Sequence, residues 1–246
     1  MSSDAVTYES RDRIAVITIN RPEKMNAFNP AVGEGFKAAW KRLNESDDRV
    51  AIVTGAGDRA FSAGADVSDV AENWSFMPGV GVEMRKPLIA AVNGWCIGIA
   101  VVLVQLCDLC VMREDAKFSY PEAQLGFCGG LVANIVSRIP HKVAMELILV
   151  GESMTARRAY EVGFVNKVVP AAQVMEEAMA YARILANNAP LVVELLKHFS
   201  GQCLPKGPAE LSGLARTELA KVSDSADQQE GRAAFREKRK PVFSGR

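Results

Sequence analysis

Apolar and polar positions change rhythm along this chain, and each change marks an element. Ile14, Val16, Ile17 and Ile19 form a short apolar run closed by Asn20-Arg21-Pro22, which predicts a first strand. Over residues 30–44, Val32, Phe36, Ala39, Trp40 and Leu43 recur at helical spacing. Residues 50–54 and 88–92 are apolar throughout and end at Gly55-Ala56-Gly57-Asp58 and Asn93-Gly94, so both read as strands. A helical run over 98–106 leads into a further strand over 109–112. Strands that are apolar along their whole length and alternate with helices predict a parallel sheet buried on both faces. After Pro170 the rhythm is helical throughout, with helices expected over 171–187, 190–200, 208–222 and 225–238. No Ser/Gly-rich linker and no internal repeat interrupts the chain. The pattern is that of one α/β core with a helical C-terminal extension.

Composition narrows the function classes. The chain has 246 residues, 49% of them hydrophobic and 24% charged, which is ordinary globular usage. Lys plus Arg and Asp plus Glu both number 29, so the basic excess common in nucleic-acid-binding proteins is missing. The opening MSSDAVTYESRDR lacks the apolar core of an export signal, and the apolar run at 97–106 is interrupted by Gln105 and too short to span a bilayer. A cytoplasmic protein without membrane partners is expected. The five cysteines (Cys96, Cys107, Cys110, Cys128 and Cys203) are an odd number without an export signal, which argues against a disulfide framework. Cys107 and Cys110 form a CxxC, but no second pair exists and the only histidines are His141 and His198. The cysteines are expected to be small buried hydrophobes rather than metal ligands.

Three motif readings compete. Gly55-Ala56-Gly57 follows a strand, yet Ala60 stands where a dinucleotide fingerprint has its third glycine. Gly126-Phe127-Cys128-Gly129-Gly130 fits a cysteine nucleophile elbow, but Pro121-Glu122-Ala123-Gln124-Leu125 is a poor strand to precede one. The third is a constellation: Phe61-Ser62-Ala63-Gly64-Ala65-Asp66, Ala91-Val92-Asn93-Gly94-Trp95-Cys96-Ile97-Gly98, and Phe118-Ser119-Tyr120-Pro121-Glu122. Small residues at two strand ends let two backbone N–H groups converge, and a helix N-terminus adds partial positive charge. Such a pair can hold an oxyanion.

In this order and spacing the segments resemble the crotonase (enoyl-CoA hydratase/isomerase) superfamily. The resemblance begins at Asn20-Arg21-Pro22-Glu23-Lys24-Met25-Asn26-Ala27, continues over residues 156–169, and ends at Glu230-Gly231-Arg232-Ala233-Ala234-Phe235. It implies a ββα spiral core over residues 1–190 and a C-terminal helical oligomerisation region over 191–246. It also implies trimers or dimers of trimers. The substrate would be an acyl-CoA, with CoA part of the substrate and no separate cofactor or metal. By position, the oxyanion donors would be the Ala63 and Ile99 N–H groups. Lys24, Met25, Ala65, Asp66, Val67 and Lys238 would bind CoA, and Glu122 would be the acid/base. Val102, Tyr120 and Gly130 would line the acyl pocket.

Two departures bear on the chemistry. Gly98-Ile99-Ala100 stands where the family usually has three glycines, so Ile99 is expected to strain a turn that favours φ > 0. Val102 stands where the family's hydratases carry their first glutamate. Hydration usually shares proton work between two carboxylates, whereas moving a double bond from C3 to C2 needs one base. The expectation is a single-base isomerase or atypical hydratase. A C–C lyase, a thioester hydrolase and a catalytically poor acyl-CoA binder stay open beside it. The segment 66–87 looks short for the family, which would leave a wider acyl pocket.

Overall fold

The computed structural model describes residues 5–127 and 129–246; Cys128, and with it the nucleophile elbow, lies outside the described residues. In chain order the elements are β1 (Val6–Arg11), β2 (Ile14–Ile19), α1 (Pro30–Glu45), β3 (Val50–Gly55), β4 (Ala60–Ser62), β5 (Leu88–Val92) and β6 (Trp95–Ile97). Then come α2 (Ile99–Leu106), β7 (Leu109–Arg113), β8 (Lys117–Ser119), α3 (Glu122–Leu125), α4 (His141–Met145), β9 (Met154–Thr155), α5 (Ala156–Glu161) and β10 (Lys167–Val169). Four helices complete the chain: α6 (Val174–Asn187), α7 (Pro190–Cys203), α8 (Pro208–Ser223) and α9 (Ala226–Glu237).

Six strands form one sheet in the order β1-β2-β3-β5-β7-β10, and four short ones form a second in the order β4-β6-β8-β9. From β2 to β10 the first sheet is parallel; β1 runs antiparallel at its edge. Along the chain, β3, β5 and β7 hand on in turn to β4, β6 and β8. Each handover crosses from one sheet to the other, so the chain climbs as a spiral of stacked turns. This is the spiral core that the resemblance implies.

Burial explains the apolar strands. All six residues of β3 and all five of β5 are buried. One side of the large sheet joins the main core with Phe28, Phe36, Trp40 and Phe61. The other side, Ile14, Val50, Ile52, Ile89, Ala91 and Val111, lies under α6, which presents Val174, Ala178, Ala182 and Ala186 at four-residue spacing. Helix α1 starts where Asn29 accepts the Val32 N–H and Pro30 opens the first turn. It holds the later loop in place, because the Trp40 Nε1–H donates to the Phe76 carbonyl at 2.9 Å and the Phe36 ring stacks on Phe76.

The two-residue turn Asp12-Arg13, with φ of 54° and 63°, folds β1 back on β2. The sequence pattern does not predict β1, since Glu9, Ser10 and Arg11 are polar and exposed, as an edge strand allows. Cys96 and Cys110 are buried and Cys107 half-buried, while Cys203 is exposed, against the expectation that all are interior. Burial pushes the first three thiols up, Cys107 to about 12, so they stay protonated and unreactive at neutral pH. Among the described residues no helix is long and apolar enough to cross a membrane.

Candidate active site

The first wall of the site is backbone. The turn at residues 20–27 folds around Asn26, which is buried. Its Oδ1 accepts the Arg21 N–H at 3.1 Å, and its side-chain nitrogen donates to the Ala56 and Ala60 carbonyls at 2.9 and 2.8 Å. The turn so anchored offers the Met25 carbonyl to the Ala63 N–H at 2.9 Å. That bond corrects the expected role of Ala63, because an N–H committed to Met25 is not free to hold an oxyanion. Ala65 is the free one. Phe28 donates to the Gly64 carbonyl at 2.7 Å and accepts the Asp66 N–H at 2.8 Å, so the two bonds bracket Ala65. With Gly64 at φ 84° turning the chain, the Ala65 N–H faces elsewhere and has no acceptor among the described residues.

Gly64 also sets the distance to the second wall. A Cβ there would stand 2.6 Å from the Ile97 carbonyl oxygen and 3.6 Å from the Gly98 Cα. The segments around Ala65 and Ile99 touch because residue 64 has no side chain. Gly98, at φ 58°, carries β6 into α2 and donates its N–H to the Ser119 carbonyl at 2.9 Å. Ile99 is therefore the first residue of α2, and its N–H is one that a helix leaves unpaired. The strain expected at Ile99 does not arise, since the positive φ falls on Gly98 instead. What the isoleucine does is occupy space beside the N–H.

Glu122 completes the arrangement. Strand β8, tied to Gly98 through Ser119, delivers the chain to Pro121 and the short helix α3 that Glu122 opens. Its Oε1 lies so near Gly98 that a Cβ on residue 98 would meet it at 2.6 Å. Its Oε2 is buried with no hydrogen-bond partner among the described residues. Burial raises this carboxyl to about 7, opposed only by a backbone hydrogen bond. An acid held near neutrality, without a charged partner, suits a group that gives and takes a proton.

Glu122 opens onto a cavity of about 280 Å³, whose lining includes Ile99, Tyr120, Leu131, Ala71, Trp74 and Arg216. Of the three expected acyl-pocket residues, Tyr120 is on the wall and two are not. Val102 is 1% exposed in the main core, one helical turn behind Ile99. Gly130 faces Ala209, whose Cβ would lie 3.4 Å from a Cβ on residue 130. The segment 66–87 does supply wall residues, as expected. A second, more polar cavity of about 570 Å³ borders Met25, Arg59, Trp95 and Arg113 and shares no residue with the first.

The expected CoA-binding residues fall into two groups. Asp66 is held by Arg21 at 3.1 Å and by the Ser68 hydroxyl at 2.6 Å, and these bonds keep its carboxyl below the usual range. Val67 beside it is 86% exposed, an apolar surface open to a ligand. Lys24 ends the turn at Pro22–Lys24, and Lys238 caps α9 at φ 55°, both exposed. Neither lysine side chain has a partner among the described residues. The sequence pattern gave no signal for Arg216 and Trp74, which reach this site from α8 and from the loop after β4.

The Enoyl-CoA hydratase/isomerase family model matches residues 9–246. The chain is 37% identical over 256 residues to a carnitinyl-CoA dehydratase of Salmonella typhi, covering 95% of each. It is 32% identical over 255 residues to an (E)-benzylidenesuccinyl-CoA hydratase of Thauera aromatica, covering 98% of this chain and 99% of that one. Among solved structures, a carnitinyl-CoA hydratase from Mycobacterium avium superposes with a TM-score of 0.78 at 38% identity, each chain covered in full.

Proposed function

The chain belongs to the enoyl-CoA hydratase/isomerase family, and from that premise we propose a single-base reaction at a CoA thioester, with Glu122 as its one proton-transfer group. The thioester oxygen sits between the Ala65 and Ile99 N–H groups. Both donors face charge that develops when C2 loses its proton, and the N-terminus of α2 adds to their field. Glu122 takes the C2 proton and returns one at C4, which moves a double bond from C3 to C2. The observation that carries this reading is the buried Glu122 carboxyl beside Gly98, whose Oε2 has no hydrogen-bond partner among the described residues. No second carboxylate stands at Val102, which is sealed in the core.

The CoA portion lies outside the 280 Å³ cavity, with its adenine against Ala65, Asp66, Val67 and the Lys24-Met25 turn. Its phosphates reach Lys24 and Lys238. The relatives named as hydratases and dehydratases favour a second reading, in which Glu122 alone manages water addition or removal across C2 and C3. We place self-association, as trimers or pairs of trimers, on the C-terminal helices.

The test is turnover of matched 3-enoyl-CoA and 2-enoyl-CoA substrates by wild type and Glu122→Gln. Isomerisation faster than hydration is expected in wild type, and the variant should lose roughly 10²-fold or more in turnover with binding retained. Hydration as fast as isomerisation establishes the second reading. Release of free CoA or an aldehyde points to hydrolase or lyase chemistry, and binding without any turnover to an acyl-CoA binder.

A further inference from the structure

The cavity holding Glu122 contains a cation that the proposed reaction does not use. Arg216, on α8, lines it together with Ile99 and Trp74. The guanidinium carbon stands 5.3 Å from the centroid of the Trp74 ring. This seat is built rather than accidental. Three residues earlier on the same helix, Gly213 packs so closely that a Cβ would lie 2.4 Å from Val80 Cγ1 and 3.5 Å from Trp74 Cε3. The neighbouring Thr217 hydroxyl donates to the Val80 carbonyl at 3.3 Å. Together these contacts fix the helix face from which Arg216 leans over the ring.

Arg216 has no carboxylate partner among the described residues, although Glu72 borders the same cavity. The Nε1–H of Trp74, a residue that lines the same cavity, is buried without an acceptor among the described residues. A cation over an indole face, with no carboxylate paired to it among the described residues, is complementary to a negative ligand group. It is the opposite of a site for a quaternary ammonium, since the ring face that would hold such a group already carries a guanidinium.

We infer that Arg216, seated on Trp74, selects acyl-CoA substrates whose acyl chain ends in a carboxylate and disfavours those that end in a cation. The inference rests on the acyl-CoA reading above and deepens it to a substrate class. It also sets this chain apart from relatives named for carnitinyl-CoA, whose acyl group is cationic. The CoA phosphates are the other anions available. A contact between them and Arg216 would affect every CoA ester equally, which makes the two sources separable.

The experiment is equilibrium binding of three saturated acyl-CoAs of matched length, ending in a methyl group, a carboxylate or a trimethylammonium. Wild type should bind the carboxylate ester roughly fivefold or more tighter than the methyl ester, with the trimethylammonium ester weakest. Arg216→Gln should bring the carboxylate-to-methyl ratio to about one, and Arg216→Glu should invert the order, a gain that misfolding cannot imitate. Equal binding of the carboxylate and methyl esters by wild type overturns the inference. So does a preference that survives Arg216→Gln, or a variant that weakens all three by one common factor, which marks a phosphate contact. Failure of all three esters to bind overturns the acyl-CoA reading itself.

Discussion

Glu122 lies buried against Gly98, and the consequences of that burial run through pH. The carboxyl ionises near 7 when folded, against 4.5 as its ordinary value, so the folded chain holds this proton more strongly than the unfolded one. The contribution to stability is therefore full below about pH 4.5 and fades as pH rises through about 7. Glutamine carries no such proton, so the stability of Glu122→Gln relative to wild type should improve between about pH 5 and about pH 8, as read from urea midpoints. In wild type, kcat/KM should rise over the same window to a plateau above about 7, because removal of the C2 proton needs the ionised form. A flat profile would move the base elsewhere. Val102 invites a second test. Glutamate alone at this sealed position buries a charge, and Val102→Glu should cost several kcal/mol without adding hydratase activity. Pairing it with Ile99→Gly opens a path to the cavity, and the double variant should gain hydration that the single one lacks. Equal activity in both would show that Ile99 is no barrier. At this scale the motif pointed to the Ala63 N–H, whereas the structure commits that group to the Met25 carbonyl and leaves the Ala65 N–H without an acceptor among the described residues. Which N–H is free depends on the distant Met25 and Phe28, and a local motif does not contain them.

Elements were legible where burial is two-sided. Strands β3, β5 and β7 are apolar on both faces because the main core lies under one and α6 under the other. Strands β4, β6, β8 and β9 are two or three residues long and carry no pattern of their own; pairing with one another makes them strands. Edge strand β1 was hidden by its polar residues for a different reason, since only one of its edges is paired. The small residues of α6 set how closely that helix approaches the sheet. Ala182 is fully buried there, so Ala182→Leu should overpack the contact and cost about 1–3 kcal/mol, seen as a lower urea midpoint. A neutral result would mean that α6 can lift from the sheet without loss.

For the whole molecule, the helical extension was legible, but which of its apolar faces stay exposed was not. Helix α7 buries none of its residues, yet Leu191, Val192, Leu195, Leu196 and Phe199 are all at least half exposed. Such a face suits a second copy of the chain. Leu195→Glu combined with Leu196→Glu should shift the chain toward monomer in sedimentation velocity at micromolar concentration, and an unchanged distribution would place the interface elsewhere. Arg216 was illegible for a related reason, because its meaning comes from a loop far away in sequence. The spiral has a final consequence for how such a protein changes its diet over generations. Between β4 and β5 the chain is pinned again at Phe76 by Trp40, so the wall residues before that point belong to no strand ladder. Insertions, deletions or wholesale replacement there would leave the stacked turns, the two backbone donors and Glu122 in register. Rewriting one short stretch would thus reshape the cavity while Glu122 and the Ala65 and Ile99 N–H groups keep their places.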